Sequence, residues 1–179
     1  MKPFLFDVLT EIIGDATCRT IGEIGTHKGG TAQQLITLLA PRVDQLTYYG
    51  YDVFDADEVD LEFHKKERNG KAPVSYNTAV STLRKMQNKF NNVEYKLFKG
   101  FTTDTLITPQ VFDFVYIDGG HSYDTVKYDY SMVKDSKLIV FDDCKIPGVR
   151  QNIEEIKEQG VDVEMVKTPS KHIWAVIRN

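Results

Sequence analysis

Residues 21–31, with the sequence IGEIGTHKGGT, constrain the fold more than any other stretch of the chain. An apolar run leads into a cluster of three glycines, and TAQQLITLLA, which has helical spacing of its apolar residues, follows at once. A strand, a glycine-rich turn and a helix in this order leave backbone N–H groups free to meet a ligand at the helix N-terminus. The pattern suits equally a tight turn that needs glycine for its dihedral angles, because a short glycine-rich match is weak.

Composition predicts one globular domain, residues 1–179, that is large enough to bury a sizeable core. Residues 1–15 have the pattern of an N-terminal amphipathic helix rather than of a signal peptide, and the apolar runs are far shorter than a membrane span. The net charge of −4 argues against general nucleic-acid binding. Cys18 and Cys144 lack a CxxC spacing, so we expect reduced, buried thiols in a cytoplasmic protein without a membrane partner.

Strand and helix patterns alternate along the rest of the chain. Strands are expected at 18–25, 46–53, 93–99, 112–120, 137–143, 161–168 and 172–179. Helices are expected at 31–39, 74–90, 102–107, 123–133 and 149–159. This order predicts an α/β fold with a doubly wound, seven-stranded, mostly parallel sheet that ends in an antiparallel strand hairpin. Residues 54–73 form an insertion that is either a solvated charged segment or a lid that helps to bind substrate.

Chemically active side chains follow the predicted strands. In open sheets of this kind, ligands bind beyond the carboxyl ends of the strands. The residues at these ends are Gly25, Thr26 and His27, then Asp52, Gly100 and Phe101, then Asp118 to His121, and finally Asp142 and Asp143. Asp52 has the spacing from the glycines at which an acid accepts ribose hydroxyls, although it could instead cap the segment that follows it.

Three carboxylates are expected to converge from two neighbouring strands. Asp118, Asp142 and Asp143 would repel one another, and a divalent cation would remove that conflict. All-oxygen ligation suits magnesium or manganese, whereas the alternative is that the acids cap the following helices. His121 is either a further ligand or a general base, while His64 and His172 lack context and are interpreted as surface residues.

Together, EIGTHKGGT, the strand-end Asp52, YIDGGHSY and IVFDD resemble the class I S-adenosylmethionine-dependent methyltransferases, which have a Rossmann-like fold. Within that superfamily the chain is similar to the small group with an IDG(D/G)HSY…DD signature. This group is related to macrocin-type sugar O-methyltransferases and more distantly to catechol O-methyltransferase. The resemblance extends over nearly the whole chain, from about residue 20 to residue 179.

The resemblance implies a cofactor site. Glu23 and Gly25 would lie near the methionine end, Asp52 would bind the ribose, and Gly100 and Phe101 would border the adenine. The residues implied in cofactor binding are Glu23, Gly25, Thr26, His27, Gly29, Gly30, Thr31, Asp52, Gly100, Phe101 and Asp118. The acid that often binds adenine after the third strand is missing, so Thr102, Thr103 or Asp104 is expected to replace it.

The resemblance also implies a reaction. Asp118, Asp142 and Asp143 occupy the positions of metal ligands, and His121 stands where relatives carry a lysine base, so that His121 and Asp118 are the expected catalytic residues. The predicted activity is a metal-assisted O-methyl transfer to a sugar or another small diol or hydroxyl acceptor. The alternatives are a nicotinamide-dependent oxidoreductase and a non-catalytic nucleotide-binding module. Because the chain is short, substrate recognition is expected to involve the 54–73 insertion or a second subunit of a homo-oligomer.

Overall fold

A seven-stranded sheet carries the helices of the molecule on its two faces. The computed structural model describes residues 3–55, 67, 74–168 and 172–179. The strands are β1 (Thr20–Ile24), β2 (Leu46–Asp52), β3 (Val93–Lys99), β4 (Phe114–Ile117), β5 (Leu138–Phe141), β6 (Glu164–Lys167) and β7 (Ile173–Arg178). The helices in these ranges are α1 (Pro3–Ile13), α2 (Gly30–Leu39), α3 (Tyr76–Lys89), α4 (Thr102–Thr105), α5 (Tyr123–Val133) and α6 (Pro147–Glu158), with a short 3₁₀ turn at Ala40–Arg42.

The strand order is β3-β2-β1-β4-β5-β7-β6. Strands β1 to β5 pair in parallel, and β7 pairs antiparallel with both β5 and β6. This confirms the predicted mostly parallel sheet with a C-terminal hairpin. The chain moves outward in one direction from β1 to β3 and in the other direction from β4 onward, so the topological switch point lies between β1 and β4.

Two apolar clusters cover the two faces of the sheet, because its central strands are buried on both sides. In β4, Phe114 and Tyr116 belong to the cluster formed with α1, α2 and α3. Val115 and Ile117 belong to the cluster formed with α5 and α6. The alternation of side chains along each strand therefore builds both layers at once, and it leaves the strand ends to form the site.

Cys18 and Cys144 are buried and form no disulfide bond, which confirms the prediction of free, buried thiols. Burial raises the pKa of Cys18 to about 11 and that of Cys144 to about 12, so neither is a reactive thiolate at neutral pH.

Of the 54–73 insertion, only Phe54, Asp55 and Glu67 lie within the described ranges. The choice between a solvated segment and a lid therefore falls on residues outside them. Among the described helices, none combines the length and apolar character needed to cross a membrane.

Candidate functional site

A cavity of about 160 Å³ lies at the carboxyl ends of the central strands, beside the switch point. Six of the residues expected to bind the cofactor or to act in catalysis line it, namely Gly25, His27, Asp52, Gly100, Asp118 and His121. Other expected cofactor residues lie outside the part of its wall that the structure describes, namely Glu23, Thr26, Gly29, Gly30, Thr31 and Phe101. Thr125 and Asp129 of α5 were not expected and do line the cavity.

The turn between β1 and α2 forms one wall. Gly25 has φ +96°, and a Cβ placed there would lie 2.0 Å from the carbonyl oxygen of Asp118. Glycine is therefore required at this point, because the ends of β1 and β4 touch backbone to backbone. His27 also has a left-handed backbone, with φ 50°, and its N–H donates to the Asp52 carboxylate at 2.8 Å.

Glu23 lies beneath this turn rather than on the cavity surface, with an exposed fraction of 1%. The Tyr48 hydroxyl donates a hydrogen bond to its carboxyl group, and Thr31 forms a second hydrogen bond with it. Burial, together with the smaller effect of the negative charges of Asp118 and Asp52, raises the pKa of Glu23 to about 8. Glu23 thus holds the base of the turn, and its contact with the cofactor stays a prediction.

Asp52 joins two loops at the cavity wall. Its carboxylate accepts the His27 N–H through one oxygen and the Phe54 N–H through the other, at 2.8 and 2.6 Å. The Phe54 bond is the local cap considered from the sequence, and Asp52 also lines the cavity. Its binding of ribose hydroxyls stays a prediction.

Asp118, His121 and Asp143 form a candidate metal site. One potential ligand atom from each residue lies within 4.8 Å of those of the other two. His121 Nε2 is 3.4 Å from Asp143 Oδ2, and the imidazole is only 5% exposed. Within the described ranges neither ring nitrogen of His121 has a hydrogen-bond partner. An unsatisfied buried imidazole is unfavourable, so this arrangement fits a group that completes its bonding with a bound cation.

Asp142 faces a different set of groups. Its carboxylate accepts hydrogen bonds from the Tyr116 hydroxyl at 2.7 Å, the Trp174 indole at 2.8 Å and the Asp143 N–H at 2.6 Å. The structure therefore groups Asp143, but not Asp142, with Asp118. The predicted set of three aspartates is divided, and His121 stands in the place expected for Asp142.

The alternative considered from the sequence, that these acids cap the following helices, is wrong. Ser122 is the N-cap of α5, and its side chain accepts a hydrogen bond from the Thr125 N–H. Ile146 is the N-cap of α6. The strand-end aspartates therefore do not cap the start of either helix, so capping does not explain their position.

His172 is not the isolated surface residue that the sequence suggested. Its Nδ1 lies 3.7 Å from an oxygen of Asp142 and 3.6 Å from one of Asp143, and its side chain is 40% exposed. It forms a second group of potential ligands with these two acids. The antiparallel pairing of β7 with β5 brings it there, which no spacing along the chain indicates. His64 lies outside the described residues.

Glu67 contacts the candidate site, and the sequence analysis did not indicate it. It is buried, and one carboxylate oxygen accepts the N–H groups of His121 and Ser122, at 3.1 and 2.9 Å. It thus stabilises the amino end of α5, where N–H groups lack partners within the helix. This contact connects the insertion to the turn that carries His121.

Asp129 is fully buried in the cavity wall. Neither of its carboxylate oxygens forms a hydrogen bond of good geometry within the described part of the chain, although the Thr102 hydroxyl is close enough to favour the charged form. Burial raises its pKa to about 7, and the charge of Glu67 adds to the effect. The sequence does indicate that Asp129 is buried, because its spacing puts it on the same inward-facing side of α5 as Val126 and Val133.

The cavity has an acidic character. Asp52, Asp118 and Asp129 contribute carboxyl groups to it, and neither lysine nor arginine occurs among the described residues of its wall. Such a wall attracts a ligand that carries positive charge and repels one that carries several negative charges.

Comparisons with known proteins agree with this geometry. Residues 23–144, about two thirds of the chain, match the family described as "Methyltransferase domain". No curated protein matches the sequence significantly. Among solved structures, an O-methyltransferase from Bacillus cereus in complex with SAH is 17% identical, with a TM-score of 0.65, and the match covers 100% of this chain and 82% of that one.

Two further structures share the fold. CalS11, a calicheamicin methyltransferase, is 17% identical with a TM-score of 0.68, and the match covers 97% of this chain and 76% of that one. TomG, an O-methyltransferase from Streptomyces achromogenes solved in complex with SAM, is 19% identical with a TM-score of 0.58, covering 98% of this chain and 78% of that one.

Proposed function

We infer that this chain, which belongs to the methyltransferase domain family, transfers a methyl group from S-adenosylmethionine to a hydroxyl oxygen with the help of a divalent cation. The acceptor proposed is a sugar or another small molecule with two neighbouring hydroxyls. The family match supports methyl transfer, and the similar folds of two proteins described as O-methyltransferases support oxygen as the acceptor atom.

One observation carries the proposal. Asp118 and His121 belong both to the cavity wall and to the cluster with Asp143. A cofactor in the cavity and a cation in the cluster would therefore be neighbours, separated by side chains that touch both. An acceptor oxygen held at the cluster would lie beside the methyl donor, which is the arrangement that a bimolecular transfer requires.

The donor set of the cluster fits a divalent cation. Two carboxylates supply charge, and the buried His121 ring supplies a nitrogen that has no hydrogen-bond partner among the described residues. A nitrogen ligand moves the expected preference from magnesium toward manganese and other transition ions. When bound, such a cation would polarise an acceptor hydroxyl, lower its pKa and hold it in place.

The two histidines beside Asp143 differ in the role that their surroundings allow. His121 is enclosed and is proposed as a ligand, although the sequence also allowed it to act as the base. His172 is partly exposed and can exchange protons with water. The carboxylates of Asp142 and Asp143 lie 3.7 and 3.6 Å from its Nδ1 and orient the ring. We therefore propose His172 as the proton acceptor.

The electrostatics of the cavity favour this cofactor over a nicotinamide dinucleotide. S-adenosylmethionine carries a positive sulfonium centre, which the carboxylates of Asp52 and Asp118 would stabilise. A dinucleotide carries a pyrophosphate, and the described wall offers it neither lysine nor arginine. Asp52, at the end of β2 in the cavity wall, is proposed to accept the ribose hydroxyls.

The test separates metal binding from methyl transfer. Protein freed of metal by EDTA and gel filtration should transfer radiolabelled methyl to catechol or sugar diols only after Mn²⁺ or Mg²⁺ is restored. Asp143→Asn and His121→Gln should weaken Mn²⁺ binding, measured by electron paramagnetic resonance, by at least about tenfold, since each removes a charged or coordinating ligand. Asp104→Asn, at an exposed acid, is the matched control.

His172→Gln distinguishes the base from the ligands. It should leave Mn²⁺ affinity unchanged and slow methyl transfer by about 10²-fold or more, which is the usual contribution of a general base. Unchanged transfer after thorough removal of divalent ions would exclude the cation from the reaction. If His121→Gln kept full Mn²⁺ affinity, the proposed ligand set would be wrong, and His121 would return as the candidate base.

A further inference from the structure

The carboxyl group of Asp129 has no function in the reaction proposed above. It lies on α5, fully buried, on the same side of the helix as Val126, and it is part of the cavity wall. Within the described residues neither of its oxygens has a hydrogen-bond donor of good geometry. A buried carboxyl group without donors is destabilising, so its presence in a binding cavity points to a ligand that supplies a donor.

The place of Asp129 in the cavity narrows the choice of donor. The Thr102 hydroxyl at the start of α4 is close to it, and Gly100 and Thr102 form the wall beyond β3. The turn after β1 lies at another part of the wall, and Asp52 follows β2, the strand between β1 and β3. A ligand that extends from the β1 turn past Asp52 would therefore bring its far end to Thr102 and Asp129.

The chemistry of S-adenosylmethionine leaves one donor for this position. Its hydrogen-bond donors are the methionine ammonium, the two ribose hydroxyls and the exocyclic N6 amine of adenine. The family resemblance implies that the methionine end, which carries the ammonium, lies near the β1 turn, and the hydroxyls are proposed above to bind Asp52. The N6 amine remains, and it is carried by the end of the cofactor that is farthest from the methionine.

We propose that Asp129 accepts a hydrogen bond from the N6 amine of the cofactor and so selects adenine as its base. The acid expected after β3 is thereby supplied by α5, the helix after β4. The expected substitutes Thr103 and Asp104 are exposed, and only Thr102 of that group lines the cavity. The proposal rests on the methyl donor of the proposed function and is independent of the cation and the acceptor.

A cycle of two ligands and two proteins tests the contact. Isothermal titration calorimetry at about pH 8.5, where Asp129 is ionised, and with EDTA present would compare S-adenosylhomocysteine with its analogue in which purine without the 6-amino group replaces adenine. Wild-type protein should bind S-adenosylhomocysteine at least about tenfold more tightly than the analogue, as expected for a hydrogen bond to a charged group. Asp129→Leu should lose at least about tenfold in affinity for S-adenosylhomocysteine and less than about threefold for the analogue.

Matched variants exclude a purely structural effect. Asp135→Leu makes the same substitution at an exposed acid just after α5 and should keep the wild-type preference. Asp129→Asn keeps the shape and one acceptor oxygen, so it serves if the leucine variant does not fold. Its preference for S-adenosylhomocysteine should fall about fivefold, because a neutral acceptor forms a weaker bond than a charged one.

The outcomes separate the two proposals. If wild-type protein binds neither ligand, the proposed methyl donor is wrong. If it binds both ligands equally, or if Asp129→Leu weakens both by the same factor, the contact between Asp129 and N6 does not exist. If Asp129→Asn keeps the full wild-type preference, the charge of Asp129 has no part in selecting the base.

Discussion

Buried carboxyl groups govern the chemistry of this molecule at the scale of single residues. Glu23 lies beneath the glycine turn, and Asp129 lies in the cavity wall. Loss of hydration on burial raises the pKa of Glu23 to about 8 and that of Asp129 to about 7. Each carboxyl group therefore holds its proton at pH values where an ordinary carboxyl group has lost it, and folding stability depends on pH as a result.

Glu23→Gln should change this pH dependence. Between pH 4.5 and about 8 the folded state keeps a proton on Glu23 that the unfolded state loses, so the unfolding free energy of the wild type falls as pH rises. Glutamine removes this effect and still accepts the Tyr48 hydrogen bond. The difference in unfolding free energy between the variant and the wild type should rise by on the order of 3 kcal/mol from pH 4.5 to pH 8.5, in favour of the variant, as measured by urea denaturation.

The exposed Glu154 supplies the control for this measurement. Glu154→Gln should follow the wild-type pH dependence. Parallel stability curves for Glu23→Gln and the wild type would show that Glu23 is ionised in the folded protein at neutral pH, contrary to the expectation.

Single elements meet at two places that determine the site. The ends of β1 and β4 touch at Gly25 and Asp118, because the Asp118 N–H donates to Ile24 O at 2.8 Å and the Gly25 backbone lies against the Asp118 carbonyl. On the other side, β7 brings Trp174 to Asp142. The parallel strands thus position the cofactor wall, and the antiparallel strand orients the acid at the end of β5.

Gly25→Ala and Gly30→Ala test the first of these contacts with the same substitution. At Gly25 the added Cβ would overlap the Asp118 carbonyl and require a strained φ of +96°, so the unfolding free energy should fall by about 3 kcal/mol or more. At Gly30, which begins α2 and has open space around it, alanine should stabilise by up to about 1 kcal/mol. Urea midpoints measure both, and equal losses would show that the β1–β4 contact can relax.

At the scale of the whole molecule, the strand order and the distribution of acidic residues indicate the same position for the cofactor. The switch point between β1 and β4 opens the cavity, and acidic residues line it on several sides. The net charge of the chain is −4, so its overall field also favours a cationic ligand over a polyanionic one. The fold and its electrostatics therefore select the same class of cofactor.

Thermal unfolding in the presence of ligands tests this selection. S-adenosylhomocysteine at about one hundred times its Kd should stabilise the protein by about 2.7 kcal/mol and raise the Tm by about 5 °C or more. NAD at the same concentration should leave the Tm unchanged, because its pyrophosphate meets carboxylates and neither lysine nor arginine in the described wall. Stabilisation by NAD alone would favour the oxidoreductase alternative.

Much of the fold could be predicted because its signals are local. Unbroken apolar runs identify buried parallel strands such as β4 and β5, and Gly25 and Gly29 mark the turn into α2. The rule that ligands bind beyond the carboxyl ends of parallel strands then places Asp52, Asp118 and His121 near one another without coordinates. The structure confirms that all three line one cavity.

Residues that depend on contacts distant in sequence were not predictable in the same way. Glu67 reaches His121 across 54 positions, and His172 reaches the acids of β5 only because β7 inserts between β5 and β6. Periodicity shows that a strand hairpin exists, but it does not show which of its two strands pairs with the sheet. That choice depends on how the edges pack, which is a property of the assembled sheet.

The sequence by itself determined the order of the strands and helices, the glycine turn and the strand ends at which acids stand. Only the tertiary structure decided which of the adjacent Asp142 and Asp143 joins Asp118 and His121. Neighbouring side chains leave a strand end in different directions, and the donors Tyr116 and Trp174, from two other strands, hold Asp142 away from the cluster. Spacing along the chain specifies an edge of the sheet, whereas packing across it specifies the partners of each carboxylate.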